Sequence, residues 1–333
     1  MFDVLKAKWW LSESLCWYRN HAMEVISDFI PNETNRCPVS SDGYNLKVRS
    51  RFYKGHGLGN DYLVFEKGED CTVDRTAITR ICDRWKGVGA DGVVLLIDRD
   101  GPPFQLRMFN PDGSEFERSG NGLRILGSYL AREGLVDKEP FEVSVGGDLI
   151  SLEIMGQDSL GIYDVRVNMG TANSGNDAVN FDSRGLDVDG KLKLGDYGSF
   201  GLNLVSMGNP HCVVFPDNWN PSLLDQIGPL LCEHKSFRSG TNVQLARFLA
   251  EGVIEVLISE GGVGVTSASG TSACAVVVAA VQSNRARPGD FQVQMQGGSL
   301  QVSVDAEFGV TLRGPVQEVF QGRFTQGFLA SIC

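Results

Sequence analysis

Two short segments of the chain repeat the same pattern about half a chain apart. Each places a serine and a glycine before an apolar run of helical character: SGNG at 119–122 precedes LRILGSYLA, and SGTS at 269–272 precedes ACAVVVAAV. The start of a helix presents unpaired N–H groups and the positive end of the helix dipole, so it favours an anion. A glycine there lets the backbone approach that anion closely. We therefore predict that the two helix starts hold one carboxylate between them, with a serine on either side.

The order of elements around these segments also repeats. The same series of elements occurs once before residues 160–170 and again after them. It consists of short β-type runs separated by glycine turns, a helix, further strands and the serine–glycine helix. This repetition predicts an internal duplication. The predicted fold class is α+β, with two pseudo-symmetric domains that each wrap a mixed, mostly antiparallel sheet around a central helix. Apolar periodicity predicts four helices, at 74–85, 123–134, 221–234 and 273–284.

The predicted domain boundaries follow from this pattern and from a change of composition. Residues 1–48, which hold three of the five tryptophans, form an N-terminal extension that ends in a polar linker at 31–43. The extension is a helix packed on the main body, an interaction helix or a lid over the site. The first domain covers 49–165 together with a returning C-terminal strand at 317–333, and the second domain covers 166–316.

Charge and composition exclude several classes of function. The net charge of −11 argues against nucleic-acid binding, which requires a basic face. The sequence contains no run of eighteen apolar residues, so no membrane span is predicted. The N-terminus lacks the apolar core of a signal peptide. The eight cysteines and four histidines are scattered without metal-ligand spacing, which predicts no metal site and the buried thiols of a reducing compartment. A cytoplasmic enzyme with a small-molecule substrate is expected.

Polar residues at turns mark candidate ligand contacts. Asn60 lies in the turn GHGLGND, and Asn110 precedes the Pro-Asp-Gly turn of MFNPDGSEF. Either asparagine can contact a ligand or serve its own turn. Asn209 and His211 stand at the mouth of a strand, where a histidine is either a structural hydrogen-bonding group or a catalytic one. Glu260 precedes the second serine–glycine segment and is within reach of it if the loop between them folds back.

Taken together, these motifs resemble the diaminopimelate epimerase family over about residues 50–328. The runs that carry the resemblance are FYKGHGLGNDYLVFE, GVGADGVVLL, MFNPDGSEFERSGNGLR, VSMGNPHCVVF, GTNVQLARF and the segment at 259–275. The resemblance implies an active site in a cleft between two domains, closure around the substrate, no cofactor and a homodimer.

The resemblance also implies roles for individual residues. The substrate α-carboxylate would lie on the backbone N–H groups of Gly120, Asn121, Gly270 and Thr271. The side chains of Asn60, Asn110, Asn209 and Asn242 would line the rest of the pocket. The two acid/base positions fall at Ser119 and Ser269, supported by His211 and Glu260 respectively.

The chain departs from the family pattern at these two positions, because serine replaces cysteine at both Ser119 and Ser269. A thiol has a reference pKa of about 8.5, whereas a serine hydroxyl must borrow basicity from a neighbour. Gly261 stands where the family has an arginine, and Val265 and Ser272 replace its usual glutamate and glycine. Three hypotheses follow: a cofactor-independent amino-acid epimerase; a lyase, dehydratase or double-bond isomerase on the same fold; and a catalytically silent binding protein.

Overall fold

The structure is a computed structural model that describes residues 44–116 and 118–332. The helix and linker predicted within the N-terminal extension lie outside the described residues. The first strand begins at Leu46, so the last three residues of the predicted extension are already part of the sheet.

The described residues form twenty strands and five α-helices. The strands of the first half are β1 (Leu46–Gly57), β2 (Asn60–Lys67), β3 (Cys71–Val73), β4 (Gly92–Leu96), β5 (Phe104–Phe109), β6 (Glu115–Phe116), β7 (Phe141–Val145), β8 (Asp148–Gln157) and β9 (Tyr163–Thr171). Those of the second half are β10 (Asn173–Ser174), β11 (Leu192–Lys193), β12 (Ser199–Phe200), β13 (Asn203–Ser206), β14 (Pro210–Val214), β15 (Asn242–Ala250), β16 (Val253–Glu260), β17 (Gly264–Thr266), β18 (Gly289–Met295), β19 (Gly298–Val304) and β20 (Gly309–Arg323). The helices are α1 (Arg75–Cys82), α2 (Gly120–Arg132), α3 (Ser222–Cys232), α4 (Gly270–Gln282) and α5 (Gln326–Ile332).

The strands of the first half close into a ring around α2. The hydrogen-bonded order is β1, β2, β4, β5, β7, β8, β9 and β20, and β20 pairs back with β1. Only the β2–β4 and β5–β7 pairs of this ring are parallel. Closure removes the open edges that a sheet otherwise exposes.

The second half repeats this ring around α4. Its order is β10, β13, β14, β15, β16, β18, β19, β20 and β9, with β10 following directly after β9. Counted from β13, as the first ring is counted from β1, its two parallel pairs, β14–β15 and β16–β18, occupy the same places in the order as those of the first ring. The predicted fold class, with two pseudo-symmetric halves that each wrap a mostly antiparallel sheet around a helix, is confirmed. The two rings share β9 and β20.

Both central helices are buried on nearly every side. In α4, every residue from Ala273 to Ala280 has no exposed surface, and α2 is buried from Gly120 to Leu130. A helix that is apolar all round belongs in a core, and small alanine and valine side chains let the strands pack closely around α4. Both helices begin three residues earlier than predicted, at Gly120 and Gly270, so each serine of the repeated segments takes the N-cap position.

The chain returns to the first half at its C-terminus. β20 pairs with β1 from Gln317 to Arg323, after which α5 follows instead of more strand. Phe324 packs on Phe52 and Phe65, with ring centroids 5.1 and 5.7 Å apart. Among the described residues, no helix has the length and apolar character that a membrane crossing requires.

The cysteines match the predicted buried thiols at four positions. The free thiols of Cys82, Cys212, Cys232 and Cys274 are all buried. Cys71 departs from that prediction because it is disulfide-bonded.

Candidate active site

The starts of α2 and α4 meet where β20 crosses from one ring to the other. A Cβ atom added to Gly270 would lie 3.9 Å from the Cα of Gly120. The same Cβ would be 3.0 Å from Leu312 Cδ2, and one added to Gly120 would be 2.7 Å from that atom. A side chain at either glycine would have to displace the Leu312 side chain of β20. The two predicted anion-binding ends therefore face one point in space.

Backbone N–H groups at both helix starts have no acceptor within their own helix. The first intrahelical bonds run from Leu123 to the Ser119 carbonyl and from Ala273 to the Ser269 carbonyl. The amides of Gly120, Asn121, Gly270 and Thr271 precede these bonds, as those of a helix's first turn always do. The four predicted carboxylate-binding amides thus belong to two helix starts that meet, which is the arrangement a single anion requires.

Glu260 and Ser269 form a pair on the second helix start. Glu260 ends β16, and its carboxylate lies beside the Ser269 hydroxyl. Burial raises the pKa of Glu260 above its ordinary value, the interaction with the nearby Ser269 hydroxyl lowers it, and the negative charge of Asp91 raises it again. The hydroxyl of Ser269 makes no cap bond to its own helix. This carboxylate is therefore a better base than an exposed glutamate, with a serine directly on it.

Ser119 is bound differently. Its Oγ accepts a hydrogen bond from the Gly122 amide at 3.1 Å, which is the usual bond of an N-cap serine. The Ser119 hydroxyl also lies next to the hydroxyl of Tyr62. The Tyr62 ring lies against two glycines, since Cβ atoms added to Gly92 and Gly122 would be 2.4 and 3.3 Å from its Cε1. Burial raises the pKa of the Tyr62 phenol to about 12.

His211 is bound within its own half of the molecule. It is fully buried, its Nε2 lies 2.9 Å from Asn209 Oδ1, and Gln244 Nε2 lies 3.0 Å from its Nδ1. The amide nitrogen of Gln244 donates, so Nδ1 is the acceptor and Nε2 carries the proton that Asn209 accepts. Burial lowers the pKa of His211 to about 3, so the ring is neutral. Both ring nitrogens are occupied by partners other than Ser119, and Tyr62 is the side chain that contacts this serine.

The predicted pocket asparagines fall into two groups. Asn60 lies at the site: its Oδ1 accepts from Asn121 Nδ2 at 2.6 Å and its Nδ2 donates to Asp91 at 2.9 Å. Asn242 also lies at the site, donating to the Pro210 carbonyl at 3.3 Å and accepting from the Gly261 amide at 3.1 Å. It thereby ties the strand of His211 to the loop that follows Glu260.

Asn110 serves the turn that it begins. Its Nδ2 donates to Ser114 Oγ at 3.0 Å, and its backbone N–H donates to the Ser114 carbonyl. Asn209 is the acceptor for His211, as described above. Among the described residues, no group of three or more potential ligand side chains could hold a metal ion.

Sequence reasoning missed Tyr62, although a signal for it exists. Tyr62 and His211 each stand two residues after the asparagine of a Gly-Asn turn, Asn60 and Asn209. Each is also the first paired residue of a parallel strand pair: Tyr62 is opposite Gly92, and His211 is opposite Asn242. The duplication therefore places Tyr62 and His211 at equivalent points, and comparison of the two halves would have found it.

Comparison with known proteins identifies the family. The family model for diaminopimelate epimerase matches residues 52–174 and 203–319. The diaminopimelate epimerase of Desulforudis audaxviator is 39% identical over 278 residues, which cover 83% of this chain and 99% of that protein. Diaminopimelate epimerase 2 of a Nostoc species is 35% identical, over 84% of this chain and 97% of its own length. The chain belongs to the diaminopimelate epimerase family.

A solved structure shares the fold of this family member. A predicted epimerase from Pseudomonas aeruginosa aligns with a TM-score of 0.58 over 83% of this chain and 99% of its own, at 17% sequence identity. At this identity the likeness bears on the fold alone. It matches the fold class predicted from the repeated order of elements.

Proposed function

We propose that this chain is a cofactor-independent amino-acid epimerase that moves a proton at the carbon next to a carboxylate. Its membership of the diaminopimelate epimerase family supports an isomerase of the racemase and epimerase type. The observation that carries the proposal is the meeting of two helix starts, with Glu260 and Ser269 at one and Ser119 and Tyr62 at the other. The substrate carboxylate would lie between the helix starts, and its α-carbon between the two serines.

In the first step, the Ser269 hydroxyl takes the α-proton as its own proton passes to the Glu260 carboxylate. The electron pair of the broken C–H bond moves into the substrate carboxylate and forms an enediolate. The helix-start amides stabilise the added negative charge because they are already oriented toward it. Glu260 suits the role of base, since burial raises its pKa toward the working pH.

In the second step, the Ser119 hydroxyl gives its proton to the opposite face of the carbon and receives one from Tyr62. The product has the inverted configuration, Glu260 is protonated and Tyr62 is a phenolate. Water restores both groups after the product leaves. His211, which holds Asn209, is the alternative proton source for Ser119 and would have to break its present hydrogen bonds to act.

The proposed substrate is an amino acid whose far end needs no guanidinium partner. Gly261 follows Glu260, is exposed and carries no side chain to bind a second carboxylate. The relatives are named for diaminopimelate, so that compound is the first substrate to test. The proposed enzyme is a cytoplasmic homodimer. It binds no nucleic acid, in keeping with its net charge of −11.

The proposal is tested by hydrogen exchange. The protein is incubated in D₂O with L- and D-amino acids, including diaminopimelate, and NMR follows α-deuteration while chiral chromatography follows inversion. Deuteration with inversion supports the proposal. Loss of water or a shifted double bond would identify a different reaction on this fold, and the absence of any exchange across the panel contradicts catalysis.

The pH profile tests the role of Glu260. The base must be ionised, so kcat/KM falls as the pH drops through the pKa of Glu260 in the free enzyme. Burial raises this pKa above the ordinary value of 4.5, so the acid limb of the profile lies above that value. A profile that stays flat down to pH values below the ordinary glutamate range contradicts a glutamate base.

A further inference from the structure

A buried cation lies directly behind the first helix start and has no role in the proton transfers described above. Arg124 is the fifth residue of α2, and only 1% of it is exposed. Cations are unfavourable near a helix N-terminus because the helix dipole is positive there. Burying a charge without an opposite charge costs several kcal/mol. The helix dipole and the burial therefore both make the positive charge of Arg124 unfavourable at this position, which a purely structural role would not explain.

The partners of the Arg124 guanidinium are all neutral. Its Nη2 donates to Asn121 Oδ1 at 2.6 Å, its Nε to the Gly120 carbonyl at 3.3 Å and its Nη1 to the Pro315 carbonyl at 3.5 Å. Among the described residues, no carboxylate lies within ion-pair distance of it. Burial lowers the pKa of Arg124 to about 10, so the group is charged at neutral pH.

The nearby carboxylates are paired with other cations. Asp164, whose charge acts on Arg124, is bound by Arg313 through Nε at 2.8 Å. From Arg124, hydrogen bonds run through Asn121 and Asn60 to Asp91, which Arg84 binds at 2.6 Å.

The fold also makes a specific space for this guanidinium. A Cβ atom on Gly314 would lie 2.5 Å from Nη1, and one on Gly57 would lie 3.0 Å from Nη2. Glycines of β20 and β1 therefore leave the room that the charge occupies. The equivalent residue of α4, its fifth, is Cys274, a neutral buried thiol.

We propose that Arg124 is a positioning residue that supplies the positive charge for the substrate carboxylate and for the enediolate formed from it, an inference that rests on the proposed function. The guanidinium holds Asn121, whose backbone amide faces the carboxylate, and adds a full charge to the dipole of α2. The substrate would thus provide the opposite charge that no carboxylate among the described residues gives to Arg124. In a water-poor interior this charge is already in place before the reaction begins.

The test uses acetate as a carboxylate probe and acetamide as its uncharged counterpart, with binding measured by NMR titration. Arg124→Gln should weaken acetate binding about tenfold and leave acetamide binding unchanged, as expected for a lost charge interaction. Arg124→Lys keeps the charge and should bind acetate within about threefold of the parent protein. Arg132→Gln is the matched control, because Arg132 lies in the last turn of the same helix and is paired with Glu318.

Thermal unfolding of the ligand-free variants separates positioning from support of the fold. Arg124→Gln should lower the thermal midpoint no more than Arg132→Gln does, because it removes an unfavourable buried charge. Equal acetate affinity in Arg124→Gln and the parent protein overturns the inference, as does an Arg124→Lys variant that binds as weakly as Arg124→Gln. A large drop in the midpoint of Arg124→Gln likewise overturns it in favour of a structural role. If acetate binding depends on Arg124 but no amino acid exchanges its α-proton, the proposed function fails and the assignment of Arg124 to carboxylate binding remains.

Discussion

The two helix starts have the same backbone and different chemistry. At α2, Ser119 caps its helix and contacts the Tyr62 phenol, and Arg124 lies one turn behind. At α4, Ser269 leaves its helix uncapped and lies beside the Glu260 carboxylate. In the proposed function, one side therefore supplies a neutral acid and a positive charge, and the other supplies a base.

This difference shows what a duplicated scaffold keeps and what it lets diverge. Under the proposed function, the glycines and the helix geometry are common to both halves because one carboxylate would contact both helix starts. The groups behind them would differ because the two faces of one carbon need opposite proton-transfer roles. If both helix starts carried the same groups, both would still bind the carboxylate, but there would be no base on one face of the carbon and acid on the other.

The largest effect is expected from the base. Glu260→Gln keeps the shape and removes the negative charge, so exchange of the α-proton should fall about 10³-fold, within the range for a lost general base. Glu255→Gln is the control, because Glu255 lies on the same strand and pairs with Arg247 at the surface. Deuterium incorporation measured by NMR checks both variants. Similar rates for the two variants would rule out Glu260 as the base.

A smaller effect is expected from the acid side. Tyr62→Phe keeps the ring that packs on Gly92 and Gly122 and removes only the hydroxyl, so turnover should fall about 10- to 100-fold. The inverted product should decrease more than deuterium uptake does, because removal of the proton on the Glu260 side remains intact.

Tyr53→Phe and His211→Asn are the comparisons for this variant. Tyr53 is also a buried tyrosine whose hydroxyl lies 2.9 Å from a serine, Ser128, but it contacts the middle of α2. Its loss should leave turnover within about twofold, as for a hydrogen bond remote from the chemistry. If Tyr62→Phe keeps full activity while His211→Asn abolishes inversion, His211 is the partner of Ser119.

The smallest effect concerns stability. A methyl group on Gly120 would approach Leu312 to 2.7 Å, whereas one on Gly270 would approach it to 3.0 Å. Gly120→Ala should therefore lower the free energy of unfolding more than Gly270→Ala, by about 1–3 kcal/mol for the first, as in other overpacked cores. Urea unfolding measures both, and an equal loss would mean that the two helix starts pack equally tightly.

Sequence reasoning reached the features that depend on local pattern. The starts of α2 and α4 were predictable because serine, glycine and an apolar run occur together, and Glu260 because it lies close in sequence to Ser269. Tyr62 was hidden in the strand YLVFE, where an aromatic residue is typical of core packing. Its contact with Ser119 depends on the packing of the first turn of α2 against β2, which no local pattern contains.

The closure of the two rings was also beyond local pattern. β20 pairs with β19 and β9 through its first part and with β1 through its last part. A run of alternating residues predicts a strand but not which distant strands it joins. The environment of His211 likewise depends on Gln244, 33 residues away, which follows Asn242 on the neighbouring strand.

The sharing of β20 has a consequence for the order in which the protein is made. Domains of many proteins fold one by one as they leave the ribosome. Here the ring around α2 needs Gln317–Arg323 to join β1, so its last strand is synthesised only after the strands of the second half. The first half therefore cannot close before the second half has been made, and the two halves complete their folding together.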